Sequence, residues 1–166
     1  MTVTRLVGAL LLAVALSGCG SKFKTYNGPE VTQVLVLKEE RKMFLLHGRK
    51  ALKEYDIKLG FTPEGHKAQQ GDGRTPEGLY FIDRRNPESK FHLSIGINYP
   101  NNRDIEVARA AGINPGGDIF IHGGPQKGSK VNGSDDWTWG CIAVEDHEIE
   151  DIYAMVKDGT PILIQP

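Results

Sequence analysis

In this 166-residue chain His122 and Cys141 are a base and a nucleophile suited to covalent chemistry, with eighteen residues between them. A free thiol titrates near 8.5 and is mostly unreactive as S–H at neutral pH. A neighbouring imidazolium lowers that value and yields a strongly nucleophilic thiolate. After attack, the same imidazole can protonate a leaving amine, so one residue serves both halves of an acyl transfer. Gly140 removes a side chain beside the nucleophile and lets backbone N–H groups face a developing oxyanion, each donor contributing about 3 kcal/mol in comparable sites. The intervening segment is Gly-rich and carries no helical or strand periodicity. Structureless loops of that length are uncommon unless functional or disordered.

The loop joins two short apolar ends, one finishing in Ile121-His122 and the other starting at Cys141-Ile142. The imidazole and thiol meet only if those strands are neighbours in one sheet. The rest of the chain reads as a β-rich scaffold for them. Strand patterns cover 32–38, 43–46 and 50–59, a three-stranded meander with turns at Glu39–Arg41 and His47-Gly48. A loop with many Gly and Pro residues follows over 60–78. Further strands are expected at 79–83, 91–98, 118–122 and 161–165. A helix over 102–111 ends at Gly112, and a clearer one over 146–157 has Ile149, Ile152, Tyr153 and Val156 on one face, Asp146 as cap and Gly159 as terminator. Many strands and two short helices give a mainly β (α+β) domain over 31–166, a mixed or antiparallel β-sandwich. A doubly wound parallel fold is disfavoured.

Composition narrows the partners. Lys plus Arg total 20 against 21 Asp plus Glu, a net charge of -1, which leaves no electrostatic footprint for nucleic acid. Arg5, the apolar run Leu6–Leu16 and the small residues before Cys19 read as a secretory signal over 1–18, too short to span a bilayer. Leu16-Ser17-Gly18-Cys19 resembles a bacterial lipobox, which makes Cys19 the lipidated first residue of the mature chain and its membrane anchor. Residues 19–30 then form a tether, and the expected location is the cell envelope, facing the periplasm, at the outer membrane in a Gram-negative host. With Cys19 acylated, Cys141 is a lone thiol in an oxidising compartment, where a buried inert cysteine and a reactive one are both open readings.

Fifteen residues lie between His122 and Thr138-Trp139-Gly140-Cys141. This arrangement resembles the signature of the YkuD-type L,D-transpeptidase family, and Gly71–Gly78, Asn98–Asn101, Pro115–Asp118 and Asp158–Pro161 resemble its YafK-related branch. The resemblance implies a YkuD-like fold, no cofactor, and a cysteine acyltransferase acting on peptidoglycan stem peptides. Cys141 attacks the carbonyl of the third-position diamino acid and expels D-alanine. His122 is the acid/base, oriented by the carbonyl of Gly123, and the Gly140 and Cys141 amides make the oxyanion hole. The chain departs from many members at Trp139, where they have His, and at Ala143, where they have Arg. Two alternatives remain open: an endopeptidase or amidase cutting peptidoglycan cross-links or peptidoglycan–protein links, with an envelope protein as acceptor or substrate, and a non-catalytic peptidoglycan-binding lipoprotein.

Arg74, Tyr99, Thr138 and Trp139 are the candidate substrate contacts, each weighed against solvation or packing. Trp137 and Trp139 either wall the peptide or pin the loop. His47 reads as a turn residue. His66 and Asp72 lack the partners a zinc site needs, and no metal is expected. His92 and His147 have no identifiable chemical neighbourhood, and Asp135 and Asp136 read as loop-hydrating.

Overall fold

Alternation of apolar residues builds the first three strands. In the computed structural model, which describes residues 21–126, 128, 129, 131 and 136–166, Val34, Val36, Met43 and Leu45 point inward from β1 (Gln33–Leu37) and β2 (Lys42–His47), and β3 (Lys50–Asp56) completes the antiparallel meander. The expected signal segment and Cys19 lie outside the described residues, as does Asp135. Residues 21–30 have no regular structure and lie against the domain. Lys22 donates to the carbonyls of Pro87 (2.7 Å) and His92 (3.2 Å), and Lys24 pairs with Asp151 at 2.8 Å.

The remaining strands are β4 (Gly78–Asn86), β5 (Ser94–Ile97), β6 (Phe120–His122), β7 (Ile142–Ala143) and β8 (Pro161–Gln165). They extend a single mixed sheet in the order β3-β2-β1-β8-β4-β5-β6-β7, parallel at β1–β8 and β6–β7 and antiparallel elsewhere. The fold is mainly β with two helices, its layers formed by one sheet that curls. Lys58, just past β3, exchanges backbone hydrogen bonds of 2.9 and 2.8 Å with Ala143, tying the two ends of the sheet together. Inside lie Leu45, Ile57, Ile82, Ile95, Ile97 and Ile121, all essentially without exposure. Each contributes about 1.5–3 kcal/mol by burial.

Helix α1 (Asn102–Ala111) starts at Asn101, whose side chain accepts from the Arg103 and Asp104 N–H groups while Asp104 accepts from the Asn101 N–H, and it ends at left-handed Gly112. Helix α2 (Asp146–Met155) buries Ile149, Ile152 and Met155. Its ends differ from the sequence expectation. Glu145 is the cap residue because the Asp146 carboxylate is turned away to accept from the Gly124 N–H at 3.0 Å. The helix stops at extended Val156, short of Gly159. The expected strand over 91–98 is confined to 94–97 and that over 50–59 to 50–56.

The Gly/Pro-rich segment over 60–78 is irregular and held by two buried lysines. Lys38 reaches in from the end of β1 to Glu77 (2.8 Å), the Gly65 carbonyl (2.8 Å) and the Thr75 carbonyl (3.1 Å). Lys67 pairs with Asp72 at 2.8 Å, and Asp72 also accepts from the N–H groups of Ala68, Gln69 and Arg74. Burial alone would raise the Asp72 pKa, but the Lys67 ammonium and the three backbone donors outweigh it and bring it down to about 2 from 3.8. A depressed carboxylate stabilises the fold above its unfolded pKa and loses that contribution as pH falls through the folded one. Asp72→Asn is therefore expected to cost about 2 kcal/mol at pH 7. Urea unfolding of both proteins checks this, with the difference shrinking between pH 4 and pH 2. A difference independent of pH contradicts it.

Candidate active site

Strand β6 delivers His122 and strand β7 follows Cys141. The two strands pair in parallel, Ile121 opposite Ile142 and His122 opposite Ala143, so Cys141 falls opposite Phe120, on the same sheet face as His122. Among the described residues no hydrogen bond joins the two. The Cys141 Sγ lies 3.5 Å from the Asp118 carbonyl and takes a backbone hydrogen bond from Phe120.

The imidazole is 4% exposed, stacked on Phe91 with centroids 4.4 Å apart and flanked edge-on by Trp137 at 5.6 Å. Its Nδ1 lies 2.7 Å from the Gly123 carbonyl. A carbonyl only accepts, so Nδ1 carries the proton and Nε2 keeps its lone pair.

Burial is the leading influence on both titratable groups. It pushes the Cys141 thiol up, only partly offset by the Phe120 backbone bond, and pushes the His122 imidazolium down against the Gly123 carbonyl. Both shifts favour the neutral forms, a thiol and an imidazole, over the thiolate–imidazolium pair expected from the sequence.

The turn before the thiol is built by Thr138. Its hydroxyl donates to the Cys141 carbonyl at 2.7 Å and accepts from the Gly140 N–H at 3.1 Å. This corrects two assignments. Thr138, 3% exposed, is a staple of the nucleophile turn and not a substrate contact. The Gly140 N–H, assigned to an oxyanion hole, is already engaged, whereas the Cys141 N–H has no partner among the described residues. Gly140 has φ +121°, and a Cβ there would lie 2.5 Å from the Arg74 carbonyl oxygen, so the position admits only glycine.

The profile of the YkuD L,D-transpeptidase catalytic domain matches residues 32–164. The chain belongs to that family. Over 104 residues it is 33% identical to YafK of Escherichia coli K12, provisionally named an L,D-transpeptidase, covering 61% of this chain and 35% of YafK. Among solved structures, Pgp2 of Campylobacter jejuni, a helical cell shape determining protein, has a TM-score of 0.64 at 26% identity over 84% of this chain and 49% of Pgp2. Bd1075 of Bdellovibrio bacteriovorus has 0.58 at 28%, over 82% and 48%. This YkuD domain thus spans about a third to a half of the length of these relatives.

Beside the thiol of the YkuD domain runs a cleft of about 740 Å³, whose lining includes Lys67, Arg84, Tyr99, Asp118 and Trp139. Trp139 is 71% exposed, edge-on to Phe61 at 5.0 Å, and rims this cleft. Trp137 packs on the imidazole instead. Tyr99 is buried and its hydroxyl faces the carbonyls of Lys67 (3.3 Å) and Pro115 (3.0 Å), so its strand-end packing role replaces the substrate-contact reading. The Arg74 guanidinium lies toward the Gly65 turn, outside the cleft lining, and its contribution at the thiol is the carbonyl against Gly140. Ala143, where many members have Arg, is buried opposite His122.

The other expectations resolve into pairs. His66 faces Asp104 at 3.4 Å, Asp72 is taken by Lys67, and His92 meets Glu150 at 2.8 Å. The exposed turn residue His47 meets the Glu30 carbonyl at 2.8 Å. Asp136 is no hydrating residue: it holds the Leu59 N–H at 2.8 Å and the Arg41 guanidinium at 2.8 Å. Phe91 and Asp136 carried no sequence signal, since each acts through contacts distant in the chain.

Because the thiol is pushed up and the imidazolium down, alkylation of Cys141 by iodoacetamide is expected to rise steadily with pH through the ordinary thiol range. A rate plateau between pH 5 and pH 7, the mark of a preformed ion pair, contradicts this; stopped-time mass spectrometry reads it.

Proposed function

We propose that this domain is a peptidoglycan L,D-transpeptidase working by acyl transfer through Cys141. The observation that carries the reading is the 2.7 Å contact of His122 Nδ1 with the Gly123 carbonyl, which leaves Nε2 unprotonated on the thiol's face of the sheet. As the donor stem peptide arrives, the Sγ proton passes to Nε2 while the Sγ–carbon bond forms at the third residue's carbonyl. The oxyanion of the tetrahedral intermediate faces the Cys141 N–H. The carbon–nitrogen bond to D-alanine then breaks, the departing amine takes the proton from Nε2, and a thioester remains. An acceptor amine reverses the sequence: it gives a proton to Nε2, forms the new amide, and the released sulfur recovers its proton. Kinship with a YkuD family that includes a cell shape determining protein supports peptidoglycan as the substrate.

The openness of the cleft at Trp139 favours a second outcome from the same thioester. Water reaching it gives hydrolysis, the endopeptidase or amidase reading, in which a peptidoglycan–protein link is the bond cut.

Incubation with a tetrapeptide stem should release D-alanine. Cys141→Ala abolishes release, and His122→Ala lowers it by roughly 10²- to 10⁴-fold. Separation of the muropeptide products distinguishes cross-links from cut peptides, and full activity in either variant refutes the assignment. Anchoring at the envelope through Cys19 belongs to the same proposal: labelled palmitate is expected in the wild-type chain and not in Cys19→Ala, and equal labelling refutes the anchor.

A further inference from the structure

Arg84 and Asp118 occupy the cleft beside the thiol, and no step above uses them. Arg84 follows a register shift in β4, where Ile82 faces Ile97 but Arg84 faces Gly96. The shift re-aims the side chain across the neighbouring strand. Only glycine permits that path, since a Cβ at position 96 would lie 2.5 Å from the Arg84 Cγ and 2.8 Å from its Nε. The guanidinium ends over the Phe120 ring, 4.6 Å from its centroid, with Nη2 3.3 Å from Asp118 Oδ1 and Nη1 3.0 Å from Asp83 Oδ2. Asp118 is itself unusual. It is a non-glycine residue at φ +56°, and its carbonyl is the one 3.5 Å from the Cys141 Sγ.

Stability does not account for this construction. The two side chains are 39% and 91% exposed, and so open a pair contributes at most about 1 kcal/mol. A left-handed non-glycine residue alone costs on the order of 1–3 kcal/mol. Lys67, the other cation lining the cleft, is buried and engaged by Asp72 and the Gln69 carbonyl. Arg84 and Asp118 are thus an exposed cation and an exposed anion, side by side, within one residue's reach of the nucleophile.

We infer that Arg84 and Asp118 read a zwitterion: the side-chain end of an acyl donor's third residue when that residue is a diamino dicarboxylic acid, carrying an ammonium and a carboxylate on one carbon. The Arg84 fork takes the carboxylate and Asp118 the ammonium, while the backbone carbonyl of the same residue faces Sγ. A lysine at that position offers the ammonium without the carboxylate and gives the guanidinium no anion beyond Asp83 and Asp118. The inference rests on the acyl-transfer reading above and names its donor.

The test compares two synthetic tetrapeptides, one with meso-diaminopimelate and one with lysine at position three, by kcat/KM for D-alanine release. Wild type is expected to prefer the diaminopimelate donor by about tenfold to a hundredfold, the range of one charge-assisted contact. Arg84→Met brings that ratio toward one, mainly through KM, while it still processes the lysine donor, and Asp118→Asn raises KM for both donors because both carry the ammonium. Arg84→Gln serves in its place if Arg84→Met does not fold. A wild-type ratio near one, a ratio unchanged in the folded Arg84 variant, or an unchanged KM for both donors in Asp118→Asn overturns the inference. If wild type processes neither donor, the acyl-transfer reading has failed separately. The pair is then tested by calorimetric titration of Cys141→Ala with both tetrapeptides, where equal Kd values overturn it.

Discussion

The parallel ladder between β6 and β7 is only two residues long, and the position of the thiol relative to the imidazole depends on it. Two or three backbone hydrogen bonds, each contributing about 1 kcal/mol net, cannot hold a strand against the entropy of the long loop that enters it. The ladder is secured from its far side. Lys58 exchanges two backbone bonds with Ala143, Thr138 donates its N–H to the Leu59 carbonyl, and Asp136 holds the Leu59 N–H while gripping Arg41. Closing the sheet fixes the nucleophile, so the segment 57–61, chemically bland in sequence, is part of the site's architecture.

That closure also sets the electrostatics. Burial disfavours the charged form of each group, and around His122 the surround is aromatic. On the proposed route, once the proton moves to Nε2 the new imidazolium stacks on the face of Phe91, which attracts a cation, with the Gly123 carbonyl still accepting from Nδ1. The surround that disfavours charge at rest therefore offers specific partners to the charge that appears during transfer. A thiol disfavoured as thiolate is also less open to oxidation, because oxidation follows thiolate character.

What the sequence disclosed follows the range of the interactions involved. Helix α1 was legible because Gly112 ends it locally, and the meander because each of its turns joins adjacent strands. The place of β8 between β1 and β4, parallel to one and antiparallel to the other, is a pairing across most of the chain and leaves no periodic trace. The same holds at the site. His122, Gly123 and Cys141 stand out by type and spacing, whereas Phe91 and Asp136 matter only through neighbours that the fold brings to them. Thr138 was visible as a residue and misread in role, because a hydroxyl two residues from a glycine N–H and three from a carbonyl closes a turn as readily as it meets a ligand. Asp146 was misread for the same reason: its carboxylate had a better partner in the Gly124 N–H than in its own helix.

The stretch Gly71–Gly78 gains a physical meaning from this arrangement. Its Arg74 carbonyl sits where a Gly140 Cβ would be, and its Gly73 carbonyl abuts Gly60, so loop and nucleophile turn pack backbone against backbone. Such contacts tolerate no side chain and little displacement, and ion pairs hold the loop near both ends, Lys67 and Asp72 at one and Lys38 and Glu77 at the other. The buried ion pairs are costly to desolvate and contribute less to global stability than their geometry implies. Their effect is registration: they hold the Arg74 carbonyl against Gly140, whose positive φ shapes the turn before Cys141. The glycines and charges of that stretch therefore act on the thiol through backbone position.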